Sequence, residues 1–360
     1  MTDKTVFDTY TLGGITLSNR VVLAPLTRNR AGEGLVPSEF AAEYYSQRAS
    51  AGLVITEATQ ISKQAQGYQN TPGLYAPEQI AAWRKVTDAV HAKGGRIFVQ
   101  LWHVGRVSHV DLHGGEAPVA PSAIRAETKT FVNDGFADVS EPRALETAEI
   151  AGIVEDFRKT AANAIEAGFD GVEVHGANGY LLDQFLRSSS NVRTDTYGGS
   201  VESRARLLLE VVAAVAKEIG ADRTGVRLSP VSPASGAVIT GEEQEQFNYV
   251  AEMLNGLGIV YIHVVEGATG GPRDVAPFDY AALRTRFKNT YIANNGYDLN
   301  LANQHLAAGE ADLIAFGRPF IANPDLVERL KTGAELNQID PTTLYGGDAK
   351  GYIDYPTLDG

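Results

Sequence analysis

Short runs of apolar residues recur along this chain and stay apolar on consecutive positions. VVLAPLT (21–27), LVITEAT (53–59), RIFVQLWH (96–103), GVEVHGA (171–177), TGVRLSP (224–230), IVYIHVVEG (259–267), YIANNG (291–296) and LIAFGRP (313–319) are each of strand length. Continuous rather than alternating hydrophobicity predicts parallel strands covered by helices on their outer side. Between the runs, apolar positions recur every three to four residues, as in PEQIAAWRKVTDAVHAKG (77–94), TAEIAGIVEDFRKTAANAIEAG (147–168) and SVESRARLLLEVVAAVAKEIG (200–220), which predicts amphipathic helices. Several carry a capping residue in front and a glycine just past the end. Strand and helix alternating eight times predicts an α/β fold of the (β/α)8 TIM-barrel type. A doubly wound open sheet is the competing arrangement, but no Gly-x-Gly-x-x-Gly follows any of the strands.

A barrel takes roughly 250 residues, so the 360 residues here are read as a single domain, 1–360, with insertions. The surplus falls in two places. Residues 104–146 are too long for a plain connection, and the alternation in TKTFVNDGFADV predicts an excursion or lid over one end of the barrel after strand three. The last thirty residues, with LYGGDAKGYIDYPTLDG, read as a C-terminal arm rich in Gly and Tyr.

Composition narrows the chemistry. The formal charge of -13 offers no cationic field for a polyphosphate backbone, so nucleic acid is not an expected partner. No apolar stretch approaches the eighteen or so residues of a membrane helix, and MTDKTVFDTY lacks the basic-then-apolar order of a secretion signal, so a cytoplasmic protein is expected. With no cysteine, there is neither disulfide nor thiolate, and any chemistry comes from oxygen, imidazole or a borrowed cofactor. His109 and His113 lie four apart, but no third ligand is spaced to join them, so no metal is expected.

Active sites of barrels sit where strands end in loops on the C-terminal face. The strand ends supply Pro25, Leu26 and Thr27; Ala58; Gln100 and Trp102; His175, Asn178 and Tyr180; Arg227; Asn295 and Gly296; and Gly317 and Arg318. None is a lysine, which leaves a Schiff-base aldolase nowhere to start, and no carboxylates pair as glycoside hydrolysis requires. AFGRPF joins a glycine that permits close backbone approach to an arginine suited to phosphate, and barrels often hold phosphate after strands seven and eight. Turn glycines and a surface arginine account for the same letters. Arg227, set among apolar neighbours in VRLSP, needs something electron-rich inside the barrel. His175 and Asn178 offer two neutral donors that can converge on one oxygen and hold the negative charge that develops when a hydride adds to a conjugated carbon. Tyr180, with an ordinary pKa near 10, can deliver a proton to the adjacent carbon. Read alone, the same residues also suit a buried core histidine and a turn-forming asparagine.

Taken together, the motifs resemble the Old Yellow Enzyme family of flavin-dependent ene reductases. HGANGYLLDQFLRSSSNVRTDTYGG (175–199) is similar to its most diagnostic segment, and LSNRVVLAPLTRNR, EATQIS, GYQNTPGLY, FVQLWHVGRVSH, PRALE, AFGRPFIANPDL and GYIDYP extend the match over nearly the whole chain. The resemblance implies non-covalent FMN, with Pro25, Leu26, Thr27, Ala58, Gln100, His175 and Arg227 around the isoalloxazine and Asn295, Gly296, Gly317 and Arg318 on the phosphate. It implies His175 and Asn178 as a clamp on the substrate's electron-withdrawing oxygen, Tyr180 as proton donor, and Tyr68, Trp102 and Tyr352 as pocket walls. Thr27 in APLTR matches the branch with threonine rather than cysteine at that place. NADPH or NADH would be the reductant, and small activated alkenes the substrates. A flavin-binding sensor or store without turnover and a flavin-free phosphate-binding isomerase are the rival readings.

Overall fold

The computed structural model describes residues 4–359. All eight apolar runs form strands: β1 Val21–Leu23, β2 Leu53–Gln60, β3 Ile97–Trp102, β4 Gly171–Gly176, β5 Thr224–Leu228, β6 Tyr261–Val265, β7 Thr290–Asn294 and β8 Leu313–Phe316. Each pairs in parallel with its sequence neighbours, and β8 closes on β1 to complete the barrel. The long helices are α1 Pro77–Ala92, α2 Thr147–Glu166 and α3 Val201–Ile219, each ending just short of the sequence-based boundary. Gly94, Gly168 and Gly220 explain the shortening: their φ angles of 76°, 87° and 102° cannot continue a right-handed helix.

Two apolar layers hold the barrel. One lies between strands and helices, where Trp83, Phe157, Leu208 and Val250 are among the fully buried side chains. The other fills the lower interior with Val22, Leu53, Phe98, Tyr261, Ile292 and Leu313. An antiparallel hairpin, Tyr10–Leu12 with Ile15–Leu17, plugs the lower end and buries Leu12 and Leu17 against that interior. Glycine makes room for the rings: a Cβ at Gly225 would lie 2.1 Å from Tyr261 Cζ, and one at Gly171 would lie 2.5 Å from Phe98 Cζ.

Within residues 104–146, Val119–Ala120 pairs with Arg143–Ala144, and Lys129–Val132 forms a hairpin with Gly135–Asp138. Asn133 and Asp134 turn that hairpin with φ of 51° and 59°, as a two-residue primed turn requires. The C-terminal arm is tied to the segment after β1. Arg28 donates to the carbonyls of Thr343, Leu344 and Gly351, and Arg30 to those of Thr343, Asp348 and Lys350. Among the described residues no helix is long and apolar enough to cross a membrane.

Candidate active site

The upper half of the barrel interior is polar. Gln100 Nε2 donates to Glu173 Oε1 at 2.8 Å, and His263 Nδ1 donates to Glu173 Oε2 at 2.8 Å. Arg227 stands beside His175 and His263 in the strand register and donates to Asn294 Oδ1 at 2.9 Å. Glu173 and His263 are fully buried. Burial alone would raise the Glu173 carboxyl, but His263, Arg227 and Gln100 outweigh it and hold it below the usual range. Burial lowers His263 in turn, so the pair is a neutral imidazole donating to a carboxylate. Arg227 thus has its electron-rich partners: the Asn294 carbonyl by contact and the Glu173 charge by proximity.

A bulge shapes the neighbouring wall. The β2–β3 register slips between Ile55 and Ala58, bringing Ala58 opposite Gln100, while Thr56 Oγ1 takes up the Gln100 N–H at 3.3 Å. Pro25, Leu26 and Thr27 follow β1 as half-buried residues at the same end.

Above this layer lies an aromatic group. Tyr68 stacks on Trp102 with centroids 5.7 Å apart, Trp102 meets Tyr180 edge-on at 4.9 Å, and Tyr180 meets His175 at 5.2 Å. The Tyr68 and Tyr180 hydroxyls are 3.1 Å apart. Burial holds the Tyr180 phenol above its ordinary value, and burial with nearby Arg227 and His263 holds the His175 imidazole well below its own. At neutral pH the site therefore presents a neutral imidazole beside a protonated phenol.

The turn carrying these groups is built by its own sequence. Asn178 sits at φ 59°, a conformation asparagine tolerates, and its N–H donates to Ser229 Oγ at 2.7 Å. Asp183 Oδ2 accepts from Gly179 N at 2.8 Å and from Arg187 Nε at 3.0 Å, and Arg187 reaches the Ser229 carbonyl. Gln184 Nε2 donates to the carbonyls of Val104 and Gly179, which ties the turn to the loop after β3.

Several nitrogens in this region are buried without a partner: His175 Nδ1, Arg227 Nε and Trp102 Nε1. Buried polar atoms are normally satisfied, so a polar ligand would complete these. At the β7–β8 side, Gly296 has φ 68°, Arg318 is exposed, and its Nη2 lies 3.3 Å from where a Gly270 Cβ would stand. A Cβ at Gly317 would stand 3.5 Å from Leu26 Cδ2, so β8 ends against the β1 wall. Asn295 is turned away: its Nδ2 donates to the Glu266 carbonyl at 2.8 Å.

Profile comparison settles the relationship: the NADH:flavin oxidoreductase / NADH oxidase family matches residues 5–337. The chain belongs to the Old Yellow Enzyme family. It is 48% identical over 357 residues to a putative 12-oxophytodienoate reductase 11 of Oryza sativa subsp. japonica, covering 97% of this chain and 96% of that one. It is 46% identical over 356 residues to 12-oxophytodienoate reductase 2 of Arabidopsis thaliana, covering 97% and 95%. Among solved structures, the old yellow enzyme homologue of Zymomonas mobilis aligns with a TM-score of 0.95 at 44% identity over 98% of this chain and 100% of that one. Morphinone reductase aligns with a TM-score of 0.95 at 48% identity over 99% and 97%. The chain is thus an NAD(P)H-dependent ene reductase with FMN as its cofactor. The flavin-free isomerase is set aside.

Within this Old Yellow Enzyme barrel, Tyr352 is held by the C-terminal arm. It stacks on Tyr44 at 4.1 Å, with the Arg28 and Arg30 guanidinium groups 5.2 and 4.6 Å from its ring centre, and is 1% exposed. The two arginines that bind the arm's carbonyls pack Tyr352 against Tyr44. Tyr345 of the same arm is 62% exposed and, after burial, adds to what raises the Tyr68 and Tyr180 phenols. His109 and His113 turn to Asp111 N and Ser108 Oγ, and no group of three or more His, Cys, Asp or Glu among the described residues could hold a metal.

Sequence reasoning passed over Glu173, His263 and Thr269. Glu173 was within reach, since it precedes His175 by two positions and a strand returns to the same face every second residue. Thr269 carried no signal, because its partner Asn178 lies ninety-one residues away.

Proposed function

We propose that this enzyme reduces activated C=C bonds by a ping-pong route, with NAD(P)H and then the alkene using one opening above the polar layer. The substrates are α,β-unsaturated aldehydes and ketones, maleimides and nitroalkenes, with nitrate esters as a further class. The observation that carries the reading is the neutral His175 imidazole beside the protonated Tyr180 phenol, with Trp102 edge-on to the same tyrosine.

The residues fit FMN. Arg227 brings a buried cation with a free Nε, suited to the electron-rich pyrimidine side of a flavin. Gln100 spends its amide N–H on Glu173, which leaves its Oε1 to accept. Pro25, Leu26, Thr27 and Ala58 would line the ring, with Gly296, Gly317, Arg318 and the backbone of Asn295 at the phosphate. FMN, when bound, supplies the hydride to the carbon β to the activating group.

The protein does the rest. His175 and Asn178 donate to the electron-withdrawing oxygen and hold its developing charge, a type of stabilisation worth about 3 kcal/mol per donor. Tyr180 O–H protonates the α carbon. The excursion at 104–146 covers the opening as a lid. The relatives support the substrate class: they include 12-oxophytodienoate reductases, and one morphinone reductase structure holds tetrahydroNAD.

An absorption spectrum read through anaerobic addition of NADPH and then 2-cyclohexenone tests this. The expected result is a flavin spectrum that bleaches with NADPH and returns with the enone. Bleaching without return would overturn the roles given to His175, Asn178 and Tyr180.

A further inference from the structure

The carboxamide of Asn178 has two unlike ends, one accepting and one donating. As a clamp on a substrate oxygen it works only with the donating end turned to the opening. Thr269, on the loop after β6, donates from Oγ1 to Asn178 Oδ1 at 2.7 Å. Ser232, on the loop after β5, lies 2.9 Å from the same hydroxyl, and its Oγ accepts the Thr269 N–H at 3.0 Å. A hydroxyl carries one proton. Thr269 spends its proton on Asn178, so the proton between the two hydroxyls comes from Ser232, and the chain of donors runs in one direction. Ser229, also after β5, holds the Asn178 N–H at 2.7 Å and so fixes the backbone from which the amide projects.

We propose that Thr269, backed by Ser232, is a positioning residue that locks the Asn178 carboxamide with Oδ1 outward and Nδ2 toward the opening. The site then selects electron-withdrawing groups that present an acceptor oxygen there, and disfavours groups that present a donor. This rests on the clamp role given to Asn178 above. It also makes part of the specificity depend on a residue of another loop, which Asn178 alone does not reveal.

The test is equilibrium binding of 4-chlorophenol to the FMN-loaded protein, followed by perturbation of the flavin absorbance, so no turnover enters the readout. Thr269→Val keeps the shape and removes the donor; it should weaken binding roughly three- to tenfold, the range of one net hydrogen bond. Thr269→Ser should restore it. In an Asn178→Ala background, Thr269→Val should cause no further loss. The preference for 4-chlorophenol over 4-chloroaniline should also narrow in Thr269→Val, because a released amide can turn its oxygen inward. If Asn178→Ala weakens binding and Thr269→Val does not, the locking role is wrong while the clamp stands. If Asn178→Ala itself leaves binding unchanged, the clamp reading fails and the locking role falls with it.

Discussion

The two ends of the barrel solve burial in opposite ways. The lower end is closed by apolar side chains, with a hairpin for a plug and Gly225 and Gly171 yielding space to the Tyr261 and Phe98 rings. The upper end buries Gln100, Glu173, His175, Arg227 and His263 and leaves nitrogens of three of them without partners. Close packing gives the first its stability. The second gives up stability, since each unmet buried polar atom costs about 1–3 kcal/mol, and gains a surface ready for a polar ligand. Stability and chemistry are thus divided along the barrel axis, which changes at one end only should reveal.

The largest effect is expected at the upper end and in rate. Tyr180→Phe removes the proton donor and should slow alkene reduction by about 10²- to 10⁴-fold, with bleaching by NADPH and the thermal midpoint nearly unchanged. Stopped-flow spectroscopy of the two half-reactions would separate them, and an equal loss in both would refute the assignment. Next comes the lower end, in stability. Gly225→Ala sets a Cβ 2.1 Å from Tyr261 Cζ, and overpacking of that kind costs about 3 kcal/mol. The midpoint should fall steeply, while activity per folded molecule stays as it was. If instead Gly225→Ala lowered activity at unchanged stability, the division along the axis would be mistaken.

The rim of the upper end supplies a pH test. Glu57 is buried beside Arg28 and Tyr45, and burial raises its carboxyl from 4.5 to about 7. The folded state then holds the proton more tightly than the unfolded chain. Its stabilising contribution is complete below about pH 4.5 and is lost as pH rises to about 7. A shift of that size corresponds to about 3 kcal/mol. Glu57→Gln stays neutral throughout, so the stability of that variant relative to the parent should rise between pH 5 and pH 8. A difference flat in pH would show that Glu57 ionises normally in the fold.

How much of this was legible follows the same axis. All eight strands were readable because strands buried on both faces are continuously apolar, and the helix ends missed by a residue or two because glycine stops a helix before the apolar rhythm fades. His175, Asn178 and Tyr180 could be picked out together because one strand end and its turn carry all three. The packing of Tyr352 could not be read, because its surroundings are set by Arg28 and Arg30, more than three hundred residues away along the chain. Glu173 could be read from strand parity, but its meeting with His263 could not, since strands four and six are brought together only by closure of the barrel.

That meeting gives the smallest and most selective prediction. Glu173 is the one carboxylate among Gln100, His175, Arg227 and His263, and its charge offsets Arg227. Glu173→Gln removes the charge and keeps the shape. The partners can adapt: His263 Nε2 has no partner, so the imidazole can move its proton there and accept at Nδ1, or else the Gln100 amide can turn. The fold should therefore hold. With its counter-charge gone, Arg227 presents a stronger positive field to the opening, which favours the more negative, reduced form of FMN. The two-electron midpoint potential of the bound flavin should rise by on the order of 30 mV, the equivalent of about 1.4 kcal/mol. Potentiometric titration of the holoprotein measures it. A potential unmoved by Glu173→Gln would mean that the polar layer shapes the upper end without setting its field, and the contrast between the two ends would then be one of packing alone.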